Sequence, residues 1–356
     1  MALVPLYGHE PLQARLRDAA ERSALPASLL FEGPRGVGKQ RLAIWLAGLL
    51  LCEGPDRPCG HCQHCRYVET LNHPDLHWFF PRLRLKDSDP DVEDVIQDFQ
   101  EGIAERVKAH GLYAPPSGLE GIFVATVRAI VQQASMTPAL ARRKVFVVGD
   151  ADRMVSQEGS DQAANAFLKL LEEPPGDTTI ILTSSEPGAL LPTIRSRVVS
   201  VRVPRLADAD VEAFLRDPLV AAAVGERAEA SVPERVRAAA GAPGALLAGP
   251  AWNEAMAQAR RLIEVARGGD RAAMYAAALK QGAAKARGSY SDTLDALTVL
   301  THERVRAAAT SGNERGAADA AKAVALIEEA KEMAGGNVSP QLVTAQLVRR
   351  LGELLR

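Results

Sequence analysis

Gly33-Pro34-Arg35-Gly36-Val37-Gly38-Lys39-Gln40 has the residue types and spacing of a loop that wraps phosphate oxygens. It meets the pattern G-x-x-x-x-G-K-[ST] everywhere except at its last position. Glycines at these places let backbone N–H groups turn inward toward an anion, and Lys39 is placed to reach the outer phosphates. The run Arg41-Leu-Ala-Ile-Trp-Leu-Ala predicts a helix directly behind the loop, its positive N-terminal end facing the same anion. The position after the lysine ordinarily carries a hydroxyl that ligates Mg²⁺, and Gln40 is a poor replacement for it. Gly33, Gly36, Gly38, Lys39 and Gln40 therefore read as a degenerate nucleotide loop, expected to hold ATP more readily than to hydrolyse it.

A hydrolytic site of this kind also needs an acid at the end of a neighbouring strand, to hold the metal and polarise the attacking water. Lys144-Val-Phe-Val-Val reads as a buried strand and is followed by Gly149-Asp150-Ala151-Asp152. Gly149 stands at the usual first carboxylate and Asp150 at the next. The metal-coordinating acid is thus expected to be missing, with Asp150 left beside the nucleotide. Gln40 and Gly149 both fall on the magnesium site, which a random pair of losses would not do.

All four cysteines of the chain lie within a short stretch, as Cys52, Cys59, Cys62 and Cys65. Four thiolates can close a tetrahedral Zn²⁺ shell and leave no position for water, so a structural site is expected and a catalytic one is not. The turn-forming residues between them suit a loop folded around a metal. His61 and His64 are nearby alternatives that four cysteines make unnecessary.

The elements that must position these groups follow from pattern. At 356 residues, 47% hydrophobic and 4% aromatic, the chain has material for two or three domains of helix-rich packing. Strands are expected at Ser28-Leu-Leu-Phe-Glu, Gly121-Ile-Phe-Val-Ala, Lys144-Val-Phe-Val-Val, Thr178-Thr-Ile-Ile-Leu-Thr and Val198-Val-Ser-Val-Arg-Val. Alternation of such short apolar runs with helices implies a parallel sheet with helices on both faces and ligands at the strands' carboxyl ends. Residues 82–118 read as a surface insertion with a helix near Val92–His110 and no legible function. The α/β domain is expected over 1–204, with its cysteine module at 52–65, followed by a small helical domain at 205–250 and a larger one at 251–356. A net charge of −2, from 42 basic and 44 acidic residues, argues against strong DNA binding by the chain alone. Neither a signal peptide nor an apolar run long enough to cross a bilayer is evident, so a cytoplasmic protein without a membrane role is expected.

With these motifs in order, the chain resembles the delta-prime subunits of bacterial DNA polymerase III clamp loaders, of the AAA+ class. Leu6-Tyr-Gly-His-Glu10, the cysteine module behind the loop helix, Asn72-His-Pro-Asp75 and Asn165-Ala-Phe-Leu-Lys-Leu-Leu-Glu-Glu-Pro-Pro175 carry the resemblance. So do Thr183-Ser-Ser-Glu-Pro187, similar to the sensor-1 segment and placing Ser185 beside the nucleotide, and Thr193-Ile-Arg-Ser-Arg197. The family's Ser-Arg-Cys becomes Ser196-Arg197-Val198, keeping the arginine. Gly244, in Gly241-Ala-Pro-Gly244, stands where a sensor-2 arginine would be, and Asn337-Val-Ser-Pro-Gln-Leu-Val343 resembles the last collar helices.

The resemblance implies a non-catalytic subunit of a DNA-directed DNA polymerase holoenzyme. It would sit in a hetero-pentamer with gamma/tau and delta subunits that loads the sliding clamp onto primed DNA. It implies no ATPase activity of its own, an Arg197 that enters a neighbouring ATPase site, a lid at 205–250 and a collar at 251–356. The competing readings are an ATP-hydrolysing gamma/tau-type subunit and a zinc-containing DNA-binding adaptor.

Overall fold

The computed structural model describes residues 3–87, 89–116, 120–154, 161–225, 231–247, 250–281, 287–335 and 338–355. Of the sequence positions singled out above, Gly118 and Asn337 lie outside these residues. The chain forms two compact units, Met1–Pro115 with Glu120–Leu247, and Pro116–Leu119 with Ala248–Arg356.

The first unit is built on a five-stranded, all-parallel sheet. Its strands are β1 (Ser28–Glu32), β2 (Leu76–Phe79), β3 (Lys144–Val148), β4 (Thr178–Ser184) and β5 (Val199–Arg202), in the order β2-β3-β4-β1-β5. Every residue of β3 and β4 is buried, as expected of central strands covered on both faces. Leu29 faces Ile181 on one side and Val199 on the other, and Val145 faces Leu76 and Thr179. That register lines up the carboxyl ends of β1, β3 and β4. Gly33, Gly149 and Ser185 follow them, so the loop, the strand-end carboxylate position and the sensor-1 position meet at one edge of the sheet.

The helices around the sheet are α1 (Glu10–Glu21), α2 (Lys39–Leu51), α3 (Gln63–Glu69), α4 (Val92–Lys108), α5 (Val124–Ser135), α6 (Asp161–Glu172) and α7 (Pro192–Arg195). Helix α2 is apolar nearly all round, and Leu42, Leu46 and Leu51 are fully buried. It is a central core helix. Asp75, the last residue of the Asn72–Asp75 motif, receives the backbone N–H groups of Leu140 (2.8 Å) and Ala141 (2.6 Å) and so anchors the approach to β3.

Two expectations are corrected here. Gly121–Ala125 is not a strand: Gly121 bridges Arg82, Ile122 bridges Met154, and α5 starts at Val124. The apolar residues continue as Val127, Ile130 and Ala134, a helical spacing that outweighs the short β-like run. The fifth strand is instead Leu76–Phe79, four residues long and interrupted by His77, too short a run to stand out.

Residues 82–87 and 89–113 form a structured arm. Its helix α4 is N-capped by Asp91, which accepts from the N–H of Asp94 at 2.9 Å. Phe99 packs edge-on against Phe79 and Phe80, with ring centroids 4.9 and 5.4 Å apart, and Arg82 grips Asp98 through two hydrogen bonds of 2.7 and 3.0 Å. The first unit ends in α8 (Asp208–Arg216), α9 (Pro218–Gly225), α10 (Val232–Ala239) and a 3₁₀ turn at Pro243–Leu247. Tyr7 ties the N-terminal segment to this part, donating to Asp217 at 2.7 Å and meeting Phe214 edge-on.

The second unit is helical: α11 (Pro250–Gly268), α12 (Arg271–Leu279), α13 (Arg287–Thr310), α14 (Glu314–Gly335) and α15 (Pro340–Leu354). Its core is aliphatic and rich in alanine, with Ala259, Leu262, Leu294, Leu297, Ile327 and Leu351 buried. A side chain at Gly352 would stand 2.8 Å from the Ala266 carbonyl, so α11 and α15 approach closely only because that position is glycine. Among the described residues no helix is long and apolar enough to cross a membrane.

Candidate functional site

The phosphate loop occupies the turn between β1 and α2. Gly36 (φ 83°) and Gly38 (φ 92°) adopt backbone conformations that a side chain would strain. Gly38 caps α2, no side chain caps that helix start, and a Cβ at Gly38 would meet nothing within 4 Å. The first-turn N–H groups of α2 thus face open space on this side, the arrangement an anion needs. Lys39 lies across the loop. Its Nζ donates to the carbonyls of Gly33 and Pro34, both at 2.9 Å, and to Ser185 Oγ at 2.8 Å. Burial lowers its ammonium to about 8, against the pull of Asp150 and Asp152. Lys39 and Ser185, singled out separately in the sequence, are in contact.

The Gly36 side of the loop is covered. The N–H of Gly244 donates to Gly36 O at 2.9 Å, and a Cβ at Gly244 would lie 2.8 Å from Gly36 Cα. A sensor-2 arginine at this position is incompatible with that approach.

The magnesium end is occupied by protein. Gln40 Nε2 donates to Asp150 Oδ2 at 2.8 Å, while its Oε1 accepts from Trp78 Nε1 at 3.0 Å and from Arg106 Nη1 at 3.3 Å. Arg106 comes from α4. Its guanidinium carbon sits over the rings of Phe80, Tyr113 and Trp78, at 3.3, 3.8 and 4.4 Å from their centroids. Asp150 holds a left-handed backbone conformation (φ 47°), and its N–H donates to Thr183 Oγ1 at 3.0 Å. Asp152 receives the N–H of Ser185 at 3.1 Å, and burial beside Asp150 raises its carboxyl. A hard divalent cation needs several free oxygen ligands. Gln40 and Asp150 are already paired and Gly149 offers no side chain, so these residues do not fit Mg²⁺. Asp152 was visible in the sequence as a second acid after β3; Trp78, Arg106 and Tyr113 were missed, the last two lying inside the insertion whose function was not legible.

The cysteines come together as their spacing predicts. Their four Sγ atoms lie within 4.8 Å of one another, and the described edges are 3.8 Å (Cys52–Cys62) and 3.9 Å (Cys59–Cys65). A tetrahedron with metal–sulfur bonds of about 2.3 Å has edges of about 3.8 Å. Backbone N–H groups of Gly54, Cys59, Cys62 and Cys65 point at the sulfurs of Cys52, Cys52, Cys59 and Cys62, from 3.3 to 3.4 Å. Such donors stabilise thiolates. The site can chelate a metal ion. His64 instead pairs with His73 (2.8 Å), and His61 with the Cys59 carbonyl.

Arg197 lies just after α7. Its Nε donates to Glu172 Oε2 at 2.9 Å, and its Nη1 to Thr193 O at 3.0 Å. Glu172 is the last residue of α6, within the Asn165–Pro175 block.

A family model described as "DNA polymerase III, delta subunit" matches residues 8–207, more than half of the chain. The DNA polymerase III subunit delta' of Bacillus subtilis (strain 168) is 32% identical over 183 residues, 51% of this chain and 43% of that protein. The subunit delta' of Pseudomonas aeruginosa is 32% identical over 194 residues, 54% of this chain and 47% of that protein. The DNA polymerase III subunit gamma/tau of Mycobacterium tuberculosis (strain ATCC 25618 / H37Rv) is 31% identical over 194 residues, 54% of this chain and 27% of that protein. The chain thus spans less than half the length of these relatives.

Proposed function

Because the chain belongs to the DNA polymerase III delta subunit family, we propose that it serves as a delta-prime-type subunit of a clamp loader, holding nucleotide phosphates without hydrolysing them. In this reading it joins gamma/tau and delta subunits in a cytoplasmic hetero-pentamer that places the sliding clamp on primed DNA. The single observation that carries the non-hydrolysing part is the closed magnesium end: Gln40 is bonded to Asp150, Trp78 and Arg106, and Gly149 carries no acid. A phosphoryl-transfer site needs the metal and a positioned water there.

Arg197 is the residue through which this chain would act on a neighbour's ATP. A planar guanidinium supplied from an adjacent subunit stabilises charge spread over the transferring phosphoryl oxygens. The arginine is seated at the end of a short helix and held by Glu172 until a stronger anion competes for it. Residues 205–250 act as a lid and 251–356 as the oligomerising collar. Cys52, Cys59, Cys62 and Cys65 hold one structural Zn²⁺, which supplies a cross-link for the loop behind α2 and no chemistry.

The test is reconstitution. The purified chain is mixed with gamma/tau and delta subunits, followed by gel filtration and an ATP turnover assay with clamp and primed DNA. The expected result is a stable complex whose turnover survives Lys39→Ala in this chain, with no turnover by the chain alone. Robust hydrolysis by the isolated chain, abolished by Lys39→Ala, is the outcome of the gamma/tau-type reading, whose supporting observation is the similarity to the Mycobacterium tuberculosis gamma/tau subunit.

A further inference from the structure

The arm at 82–113 sends one charged side chain into the phosphate-loop site, and it arrives at the metal end. Arg106 reaches Gln40 from α4, and Gln40 in turn reaches Asp150 at the end of β3. The guanidinium is fixed by three aromatic rings, Trp78, Phe80 and Tyr113, and cannot swing away without breaking all three contacts. Trp78 contributes twice, since its indole N–H also donates to Gln40. The result is a permanent positive charge near Asp150, the acid that Gln40 holds.

We infer that Arg106 is a resident cation that takes the place of the divalent ion, so that the loop binds the phosphates of a nucleoside diphosphate without metal. The inference rests on the reading of this loop as a non-hydrolysing nucleotide site and states how it manages charge. In a metal-dependent site the cation arrives with the nucleotide and neutralises the phosphates against the strand carboxylate. Here the carboxylate of Asp150 is already engaged by Gln40, and the cation is built into the fold. The first turn of α2 has no side-chain cap and Gly38 borders open space, so the phosphates would lie there, with the Lys39 ammonium exchanging its bonds to the Gly33 and Pro34 carbonyls for them. The arm's role follows: it completes the site electrostatically while barring the metal that hydrolysis requires.

Calorimetric titration of the full-length chain with ADP, once with magnesium and once with EDTA, tests this. No gain in affinity with magnesium is expected, only the loss that follows from magnesium sequestering free ADP, together with an unchanged free Mn²⁺ signal by electron paramagnetic resonance when Mn²⁺ is added to the ADP-bound chain after unbound ADP is removed. Arg106→Met keeps the aromatic contacts and most of the volume; it should weaken binding in EDTA and make binding respond to magnesium. Lys39→Met should abolish the heat of binding in both buffers. Affinity that rises with magnesium in the unaltered chain, Mn²⁺ taken up with ADP, or no ADP binding in either buffer each overturns the inference. None of these outcomes bears on complex formation with gamma/tau and delta subunits, so failure here and failure of the clamp-loader reading are separable.

Discussion

A Cβ added to Gly149 would lie 2.4 Å from both Cδ and Oε1 of Gln40. The two departures from a metal-binding loop are therefore one feature: the amide of Gln40 fills the space that a side chain at position 149 would need. Restoring only the acid should fail. Gly149→Asp displaces the amide and unpairs Trp78 Nε1 and Asp150, at a cost of about 1–3 kcal/mol. The double change Gln40→Thr with Gly149→Asp frees the space and should be more stable than the sum of the two single changes, by about 1 kcal/mol. Urea denaturation of the four proteins in the cycle measures the coupling, and strict additivity would contradict the relationship.

The cysteine site makes a separate prediction. Gly54 sits so close that a Cβ there would stand 2.8 Å from the Cβ of Cys59 and 2.9 Å from its sulfur. The N–H groups of His61 and Cys62 also draw the Cys59 thiol down to about 6, preparing it as a thiolate. Elemental analysis of protein purified without chelator should find one zinc per chain. Gly54→Ala and Cys59→Ser should each lower zinc retention, the first by about 10- to 100-fold as expected for a disturbed supporting shell. Because the module rests on a larger domain, stripping the metal should leave the far-ultraviolet circular dichroism nearly unchanged. Absence of zinc from the unaltered protein would falsify the assignment.

What the sequence revealed and what it hid divide by locality. The phosphate loop and the cysteine module are each contained in one short segment, so their chemistry could be read from spacing, and β1, β3 and β4 were legible from continuous apolar runs. Trp78 and Arg106 lie 38 and 66 residues from Gln40, and nothing in the local pattern of either says that they meet it. The arm's purpose was illegible for that reason: its one inward-facing cation is a tertiary fact. The misplaced strand at Gly121–Ala125 has a different cause. Apolar β-branched residues at a helix start look like a strand until the helical period behind them is counted.

Lys39 should leave a mark on the pH dependence of stability. Burial holds its folded-state value near 8, below the 10.5 of an ordinary lysine. Between those values the unfolded chain binds the proton more than the folded chain does, so this group adds stability as pH rises, by up to about 1.4 kcal/mol per unit. Asp150, Asp152 and Arg35 face the same ammonium, the two acids opposing the shift and the arginine adding to it. Comparing the unaltered chain with Lys39→Met cancels the other titrating groups. The stability of the unaltered chain relative to the variant should increase from about pH 7.5 to about pH 10. A constant difference would mean that the lysine keeps an ordinary affinity for its proton.

The final prediction concerns Arg197. Its ion pair with Glu172 is partly exposed, the two side chains being 31% and 58% accessible. Exposed pairs are worth about 0–1 kcal/mol, so Arg197→Ala should shift the stability of the isolated chain by less than about 1 kcal/mol. The effect belongs in the assembled complex. If the guanidinium serves a neighbour's ATP, removing it should slow hydrolysis at that one site by on the order of a thousandfold, with binding of this chain to its partners intact. Arg197→Lys should not restore the rate, because an ammonium lacks the planar two-point geometry that recognises a transferring phosphoryl group. Arg195, exposed in the last turn of α7, is the control: its replacement by alanine should leave the rate unchanged. Glu172→Gln separates holding from catalysis. It removes the competing anion while keeping the residue's size, so it should leave hydrolysis intact or raise it, the opposite of the arginine change. Complexes carrying Arg197→Ala that hydrolyse ATP and load clamps at the unaltered rate would assign this arginine to the local ion pair alone.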